Sequence, residues 1–332
     1  MSSFERKSIW LFRLSSSLLL GIALLFPLKL LGAEQSAPQI QQSDRFDSME
    51  APRDYLSGKI TSFASYIDRF FGGDRHYQES NQSVFQLDLN RVAGYGSDRK
   101  FDLAARLNLR LPITEGRLHL LLETDPEKNI TAEPTPGQTV LRNQVVAPSS
   151  VALAARYETA VANVWHFSTD AGLKFPIPIK PFVRTRASYS APMGDEWRLT
   201  ATQSAYWFNT LGVGETSQLD LERFISEPVL FRATSTATWL NDKQNFDLRQ
   251  DLSIYHTLND RTALLYQASV IGVSNPASAV TDYVMLLLYR YRLHREWLFF
   301  ELSPQLHFPK DKNYQFSPAL SMRLEVLFDE SR

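Results

Sequence analysis

From Ser83 to the C-terminal strand candidate the chain alternates between apolar and polar positions, and before Ser83 it does not. "VFQLDLNRV" sets Phe85, Leu87 and Leu89 against Gln86, Asp88 and Asn90. "FDLAARLNLRL" sets Leu103, Ala105, Leu107, Leu109 and Leu111 against Ala104, Arg106, Asn108 and Arg110. "RLHLLLE" gives Leu118, Leu120 and Leu122 against His119 and Glu123. "FDLRQDLSIY" sets Phe246, Leu248, Leu252 and Ile254 against Asp247, Arg249, Asp251 and Ser253. Near the end, "MRLEVLF" sets Met322, Leu324, Val326 and Phe328 against Arg323 and Glu325. A helix would scatter each set around its circumference, whereas an extended strand separates them.

Clusters of Gly, Pro, Asn and Asp punctuate these runs, among them "PITEG", "APMGD", "NTLGVG", "LNDKQ" and "PKDKN". Such clusters close hairpins. Their spacing predicts about fourteen strands, with about twelve also possible, over residues 83–328. Each strand spans roughly ten to twelve residues, as a tilted membrane strand requires. Strands of soluble sandwiches are nearer five or six. The regular meander predicts an all-β, up-and-down antiparallel transmembrane barrel. One connection, 124–150, is long and polar. With an even strand number and the N-terminal segment in the periplasm, that loop faces outside the cell.

Ahead of the strands the period changes. "YLSGKITSFASYIDRFFGG" places Leu56, Ile60, Phe63, Ile67 and Phe70 at helical spacing, ending at Gly72-Gly73. This short periplasmic helix either closes one mouth of the barrel or lies on a leaflet. Its polar, Pro-punctuated approach completes a leader over residues 34–82. The first 33 residues carry Arg6, Lys7 and Arg13, the apolar run "LLLGIALLF", and the small-residue ending Leu31-Gly32-Ala33. That order predicts a signal peptide, with an uncleaved anchor as the alternative. Residues 329–332 are read as a short tail.

Composition removes several functions. The absence of cysteine excludes disulfides, thiolate metal sites and a cysteine nucleophile. A net charge of −1 gives no electrostatic footprint for nucleic acid. The six histidines form no metal-binding pair, and no nucleotide or phosphate fingerprint occurs, so neither metal nor cofactor is expected.

Charge placement distinguishes lipid from water outside the strands. Lys is nearly absent from strand interiors, while Arg and acids recur there, including Asp88, Arg106, Arg110, Glu123, Arg249, Asp251, Arg323 and Glu325. Arg suits confined, bidentate pairing with carboxylates, so these residues are expected to line a lumen. The alternative is the solvated face of a soluble sandwich. Aromatics near the run ends, such as Trp165, Phe182, Trp197, Tyr206, Phe208, Phe224, Tyr255 and Trp297, are expected to form girdles at the two lipid–water boundaries.

These features together resemble the outer-membrane β-barrel proteins of Gram-negative bacteria. In that class the last strand carries a signal for the barrel-assembly machinery, and Ser321, Met322, Leu324, Val326 and Phe328 resemble it. The chain departs from the pattern in continuing past the aromatic with "DESR". "REWLFFELSPQLHFP" is also similar to penultimate strands of gammaproteobacterial barrels of unassigned function. The resemblance implies outer-membrane lipid, lipopolysaccharide and the assembly machinery as partners.

One stretch invites a catalytic reading. "WHFSTDAG" contains His166 and Ser168 and resembles the His-x-Ser-Asn-Ala-Gly stretch of outer-membrane lipid A deacylases. Two residues apart on a strand, they share a face and could act as base and nucleophile. The spacing to Ala171-Gly172 is one residue too long, the stretch lies mid-chain, and the sequence identifies no carboxylate partner. A porin-like pore for an unknown solute is therefore the leading expectation. A closed structural or assembly barrel is the alternative, and a lipid-modifying enzyme the outsider.

Overall fold

The computed structural model describes residues 63–68, 70–71, 83–95, 101–111, 117–129, 150–161, 164–175, 178–194, 196–275, 277–294 and 297–329. The signal-peptide and leader expectations up to residue 62, the Gly72-Gly73 stop, residues 330–332 and most of the 124–150 connection lie outside them.

The strands run in chain order β1 (Val84–Gly94), β2 (Phe101–Arg110), β3 (Leu118–Thr124), β4 (Val151–Val161), β5 (Trp165–Lys174), β6 (Lys180–Met193) and β7 (Trp197–Phe208). They continue as β8 (Gly212–Ser226), β9 (Val229–Leu240), β10 (Asn245–Asn259), β11 (Thr262–Val273), β12 (Ala279–His294), β13 (Leu298–Pro309) and β14 (Ser317–Asp329). Each pairs with its sequence neighbours, and β1 pairs with β14, so the sheet closes into a barrel of fourteen strands. Closure leaves no edge of unpaired backbone groups, the condition for a sheet to stand in hydrocarbon. The strands vary more than the spacing predicts, from 7 residues in β3 to 16 in β12.

The closing pair is antiparallel and in continuous register from Val84↔Asp329 to Gly94↔Ala319. Asp329 therefore belongs to the barrel and not to a tail, because its backbone completes the ladder opposite Val84. Both chain ends of the barrel lie at one rim, here called the terminal rim. The far rim carries the longer connections, including the 124–150 segment, whose first residues form a 3-10 turn (Pro126–Asn129). The β7–β8 turn at that rim is tight. Gly212 takes φ 76° there, a left-handed conformation that a side chain rarely adopts.

Burial follows the alternation in the sequence. On β14 the outward Leu324 is 38% exposed, while the inward Glu325 is fully buried. On β2 Leu103 is 43% exposed, and Asn108 on the opposite face is fully buried. A soluble protein buries its leucines and exposes its charges. This barrel does the reverse, and only a lipid solvent makes that arrangement favourable. It is a transmembrane barrel.

Residues 63–68 and 70–71 are helical and form α1. The helix sits inside the terminal mouth. Ala64, Ile67, Phe70 and Phe71 pack with inward residues of β9–β14 and β1, including Leu230, Tyr255, Leu265, Leu288, Phe299 and Leu327. Of the two expected positions, mouth and leaflet, the structure takes the mouth.

Candidate functional site

Strand parity places the charges picked out by the sequence as follows. Asp88, Arg106, Glu123, Arg249, Asp251, Arg323 and Glu325 all have inward parity, and Arg110 follows Arg106 and Asn108 at the terminal rim. The alternation forces this outcome, because each lies two residues, or a multiple of two, from a buried position on the same strand. Two dense ion-pair clusters and a bridge to α1 result.

The first cluster joins β12, β13, β14 and β1. Arg290 pairs with Glu301 and, at 2.6 Å, with Glu325. Arg323 reaches Glu301 at 2.8 Å and Glu325 at 2.5 Å, with Asp88 at 3.9 Å. Gln86 donates to Asp88 at 3.1 Å. The Arg290 guanidinium also lies 4.1 Å from the Phe299 ring centroid and 5.8 Å from that of Phe70 on α1. Fixed carboxylates and aromatic faces thus replace the water that Arg290 gives up.

The second cluster joins β3, β4, β5 and β6. Arg156 grips Asp170 through two bonds of 2.6 and 2.9 Å. Arg184 bonds the same carboxylate at 2.7 Å and Glu123 at 2.9 Å. At its edge Asn108 Oδ1 accepts from His119 Nδ1 at 2.8 Å, and His119 Nε2 lies 3.5 Å from Glu158.

A bridge ties α1 to the wall. Arg232 on β9 bonds Glu222 on β8 and Asp68 on α1, each at 2.7 Å. Edge-to-face rings support it, Phe63 on Phe224 at 5.4 Å, Phe70 on Phe299 at 5.8 Å and Phe71 on Tyr255 at 5.2 Å. Such pairs add about 0.5–1.5 kcal/mol each beyond the area they bury.

The far mouth is narrowed differently. Leu121, Ala152, Ala154, Phe182, Tyr206, Phe208 and Leu240 form an inward apolar cluster there. Phe182 and Phe208 stack at 5.1 Å. Gly172 makes room for it, since a Cβ at that position would meet the Phe182 ring at 2.6 Å. Two of the connection's neighbours are also tied down, because Glu127 bonds both Lys174 and Thr210. This corrects the girdle expectation at five positions. Phe182, Tyr206, Phe208, Phe224 and Tyr255 point inward, because each has the parity of the lumen and fills space at a mouth. Trp165, Trp197 and Trp297 do lie outside, near the terminal rim. Trp165 packs on Tyr189 at 4.8 Å, and Trp297 stacks on Phe328 at 5.5 Å.

Met322, Leu324, Val326 and Phe328 share the outward face of β14, and Phe328 also stacks on Phe85 at 6.2 Å. His166 and Ser168 share the lumen face of β5. Among the described hydrogen bonds none joins them. The β4–β5 register instead puts Ser168 opposite Glu158, and His166 Nε2 lies 3.8 Å from that carboxylate. The sequence reading missed Glu158 as a neighbour, and the hairpin register is the signal that reveals it. Among the described residues no group of His, Asp and Glu is arranged to hold a metal.

The sequence matches no known protein family and no curated protein. Several solved outer-membrane proteins are similar in structure. The NanC porin is 7% identical over 73% of this chain and 98% of its own, with a TM-score of 0.39. The KdgM porin in complex with disordered oligogalacturonate is 8% identical over 73% and 99%, with a TM-score of 0.38. The outer membrane channel DcaP of Acinetobacter baumannii is 9% identical over 74% and 96%, with a TM-score of 0.43.

Proposed function

We propose that this chain is a porin-like barrel of a Gram-negative outer membrane, exported by its N-terminal segment and assembled through its last strand. One observation carries the reading: a barrel of fourteen strands turns its charges inward and its leucines outward. Barrels of eight strands are filled by their own side chains, and wider ones enclose a polar lumen suited to hydrophilic solutes.

A second reading is favoured by α1. The helix occupies one side of the terminal mouth, held by Asp68–Arg232 and by the Phe70 and Phe71 rings. The barrel then rests closed or narrowed and serves as an envelope component. Planar-bilayer conductance of the purified chain separates the two. Steady ion conductance from the unaltered protein supports the pore. Silence of the unaltered protein with conductance in a folded Phe70→Glu variant supports the barrel closed by α1.

A further inference from the structure

Hydrocarbon-facing walls of barrels carry large apolar side chains, and most of this one does. At mid-height on β7–β10 the outward face instead holds Gln203, Ser217, Ser235 and Gln250. Register makes them one band. Gln203 lies opposite Ser217, and Ser235 opposite Gln250, while Ser217 and Ser235 flank the β8–β9 ladder through Ala237 and Leu219. Ser217 donates to Gln203 Oε1 at 2.5 Å, and Ser235 to Gln250 Oε1 at 2.5 Å. Those bonds use the amide oxygens. The Gln250 amide nitrogen reaches its neighbour's carbonyl at 3.2 Å, whereas that of Gln203 has no partner among the described hydrogen bonds.

An amide donor left in lipid has no water to turn to, so leaving it unbonded is unfavourable. The same band is flanked by Ala201, Ala205, Ala233 and Ala237, which with the exposed Leu219 between Ala201 and Ser235 form a surface where another wall can approach closely. Small residues with polar side chains among them are the features of membrane interfaces between protein surfaces, not of lipid contact. A lipid headgroup does not explain the band, because it lies at the middle of the strands and not at a rim.

We infer that the β7–β10 wall is the interface between this barrel and a second copy of the same chain. Membrane insertion fixes the height of each barrel. A rotation about the membrane normal therefore brings one copy's band against the other's at the same depth. Gln amides and Ser hydroxyls carry both donors and acceptors, so the surface is complementary to itself. The inference rests on the membrane-barrel reading but not on an open pore.

The chain contains no cysteine, so single substitutions give clean cross-links. Ser235→Cys or Ser217→Cys protein is oxidised in native membranes with copper-phenanthroline and run without reductant. The expected product is a band at twice the chain mass. It should be lost when Ala237→Trp is added and absent from Leu107→Cys on the far wall. Heat-modifiable migration of each variant, a shift on boiling that a folded membrane barrel shows, tests the barrel reading separately. With that shift present, three results overturn the interface. They are no dimer from either serine position, equal dimer from Leu107→Cys, or a product at another mass.

Discussion

Two walls of the same barrel differ on both faces. Along β14, β1, β2 and β3 the outward positions are large and apolar, including Met322, Leu324, Leu87, Leu89, Leu107 and Leu122. Their inward positions carry Glu325, Arg323, Asp88 and Glu123 in ion pairs. Along β7, β8 and β9 the outward face carries a mid-height band of Ala, Ser and Gln, with Leu219 among them and larger apolar residues such as Trp207 and Val213 toward the far rim. Their inward positions carry threonines toward the far rim, with Thr216 bonded to Thr238 at 3.1 Å and to Tyr206 at 3.3 Å, and the Arg232–Glu222 pair toward the terminal rim. The first wall separates two solvents sharply, so its register is strongly specified. The second is small and polar at mid-height on its outer face. Alternation of large apolar and charged residues marks where lipid lies outside, and its loss marks where something else does.

The largest expected effect comes from the first wall's inner face. Glu325→Gln removes one carboxylate from between the fully buried Arg290 and the partly buried Arg323, and should destabilise the barrel by about 3–5 kcal/mol. Urea unfolding in lipid vesicles measures it. A loss under about 1 kcal/mol would mean that water compensates the arginines, and that the lumen is wetter at this level than the contacts imply.

Next is the outer face. Leu107→Arg places a charge toward the bilayer middle and should cost about 2–4 kcal/mol in the same assay. Ser235→Leu, at a comparable level on the second wall, should leave the isolated barrel within about 0.5 kcal/mol of the parent or stabilise it slightly. A larger destabilisation by Ser235→Leu than by Leu107→Arg would erase the distinction between the walls.

Sequence reading succeeded on the first wall for physical reasons that explain its failure on the second. β1, β2, β3, β10 and β14 pair Leu or Phe with Arg, Asp or Glu, and a period of two then shows without a structure. β7 and β9 interleave Ala with Thr and Ser, which differ too little in polarity to display it. Inward placement of the expected charges followed from parity alone. The seat of α1 did not, because one apolar stripe serves a barrel mouth or a leaflet equally well, and Asp68–Arg232 links positions far apart in the chain. The inward aromatics were missed for a related reason. Proximity to a run end does not fix a face, and Phe182 needed its parity relative to Arg184.

Smaller effects sharpen the girdle assignment. Trp165→Leu on the outer rim should cost about 0.5–1.5 kcal/mol through its contacts with Phe167 and Tyr189. The chain has six tryptophans, so the part of the emission that Trp165→Leu removes is compared with the parent in vesicles of bromine-labelled lipids, and it should be quenched most when bromines sit near the headgroups. Strongest quenching by bromines at the acyl-chain ends would place Trp165 away from the boundary and undo the girdle at that rim.

The most direct test of the central claim reads both faces of one strand. Spin labels are introduced singly at Leu103, Arg106, Leu107, Leu109 and Arg110 of β2 in the folded protein in liposomes. Their collision rates with oxygen, which dissolves in lipid, and with a water-soluble nickel chelate are then compared. Oxygen should dominate at 103, 107 and 109, and the nickel chelate should gain relative to oxygen at 106 and 110. Equal nickel access at 106, 107 and 109 would place water against both faces and contradict the membrane barrel.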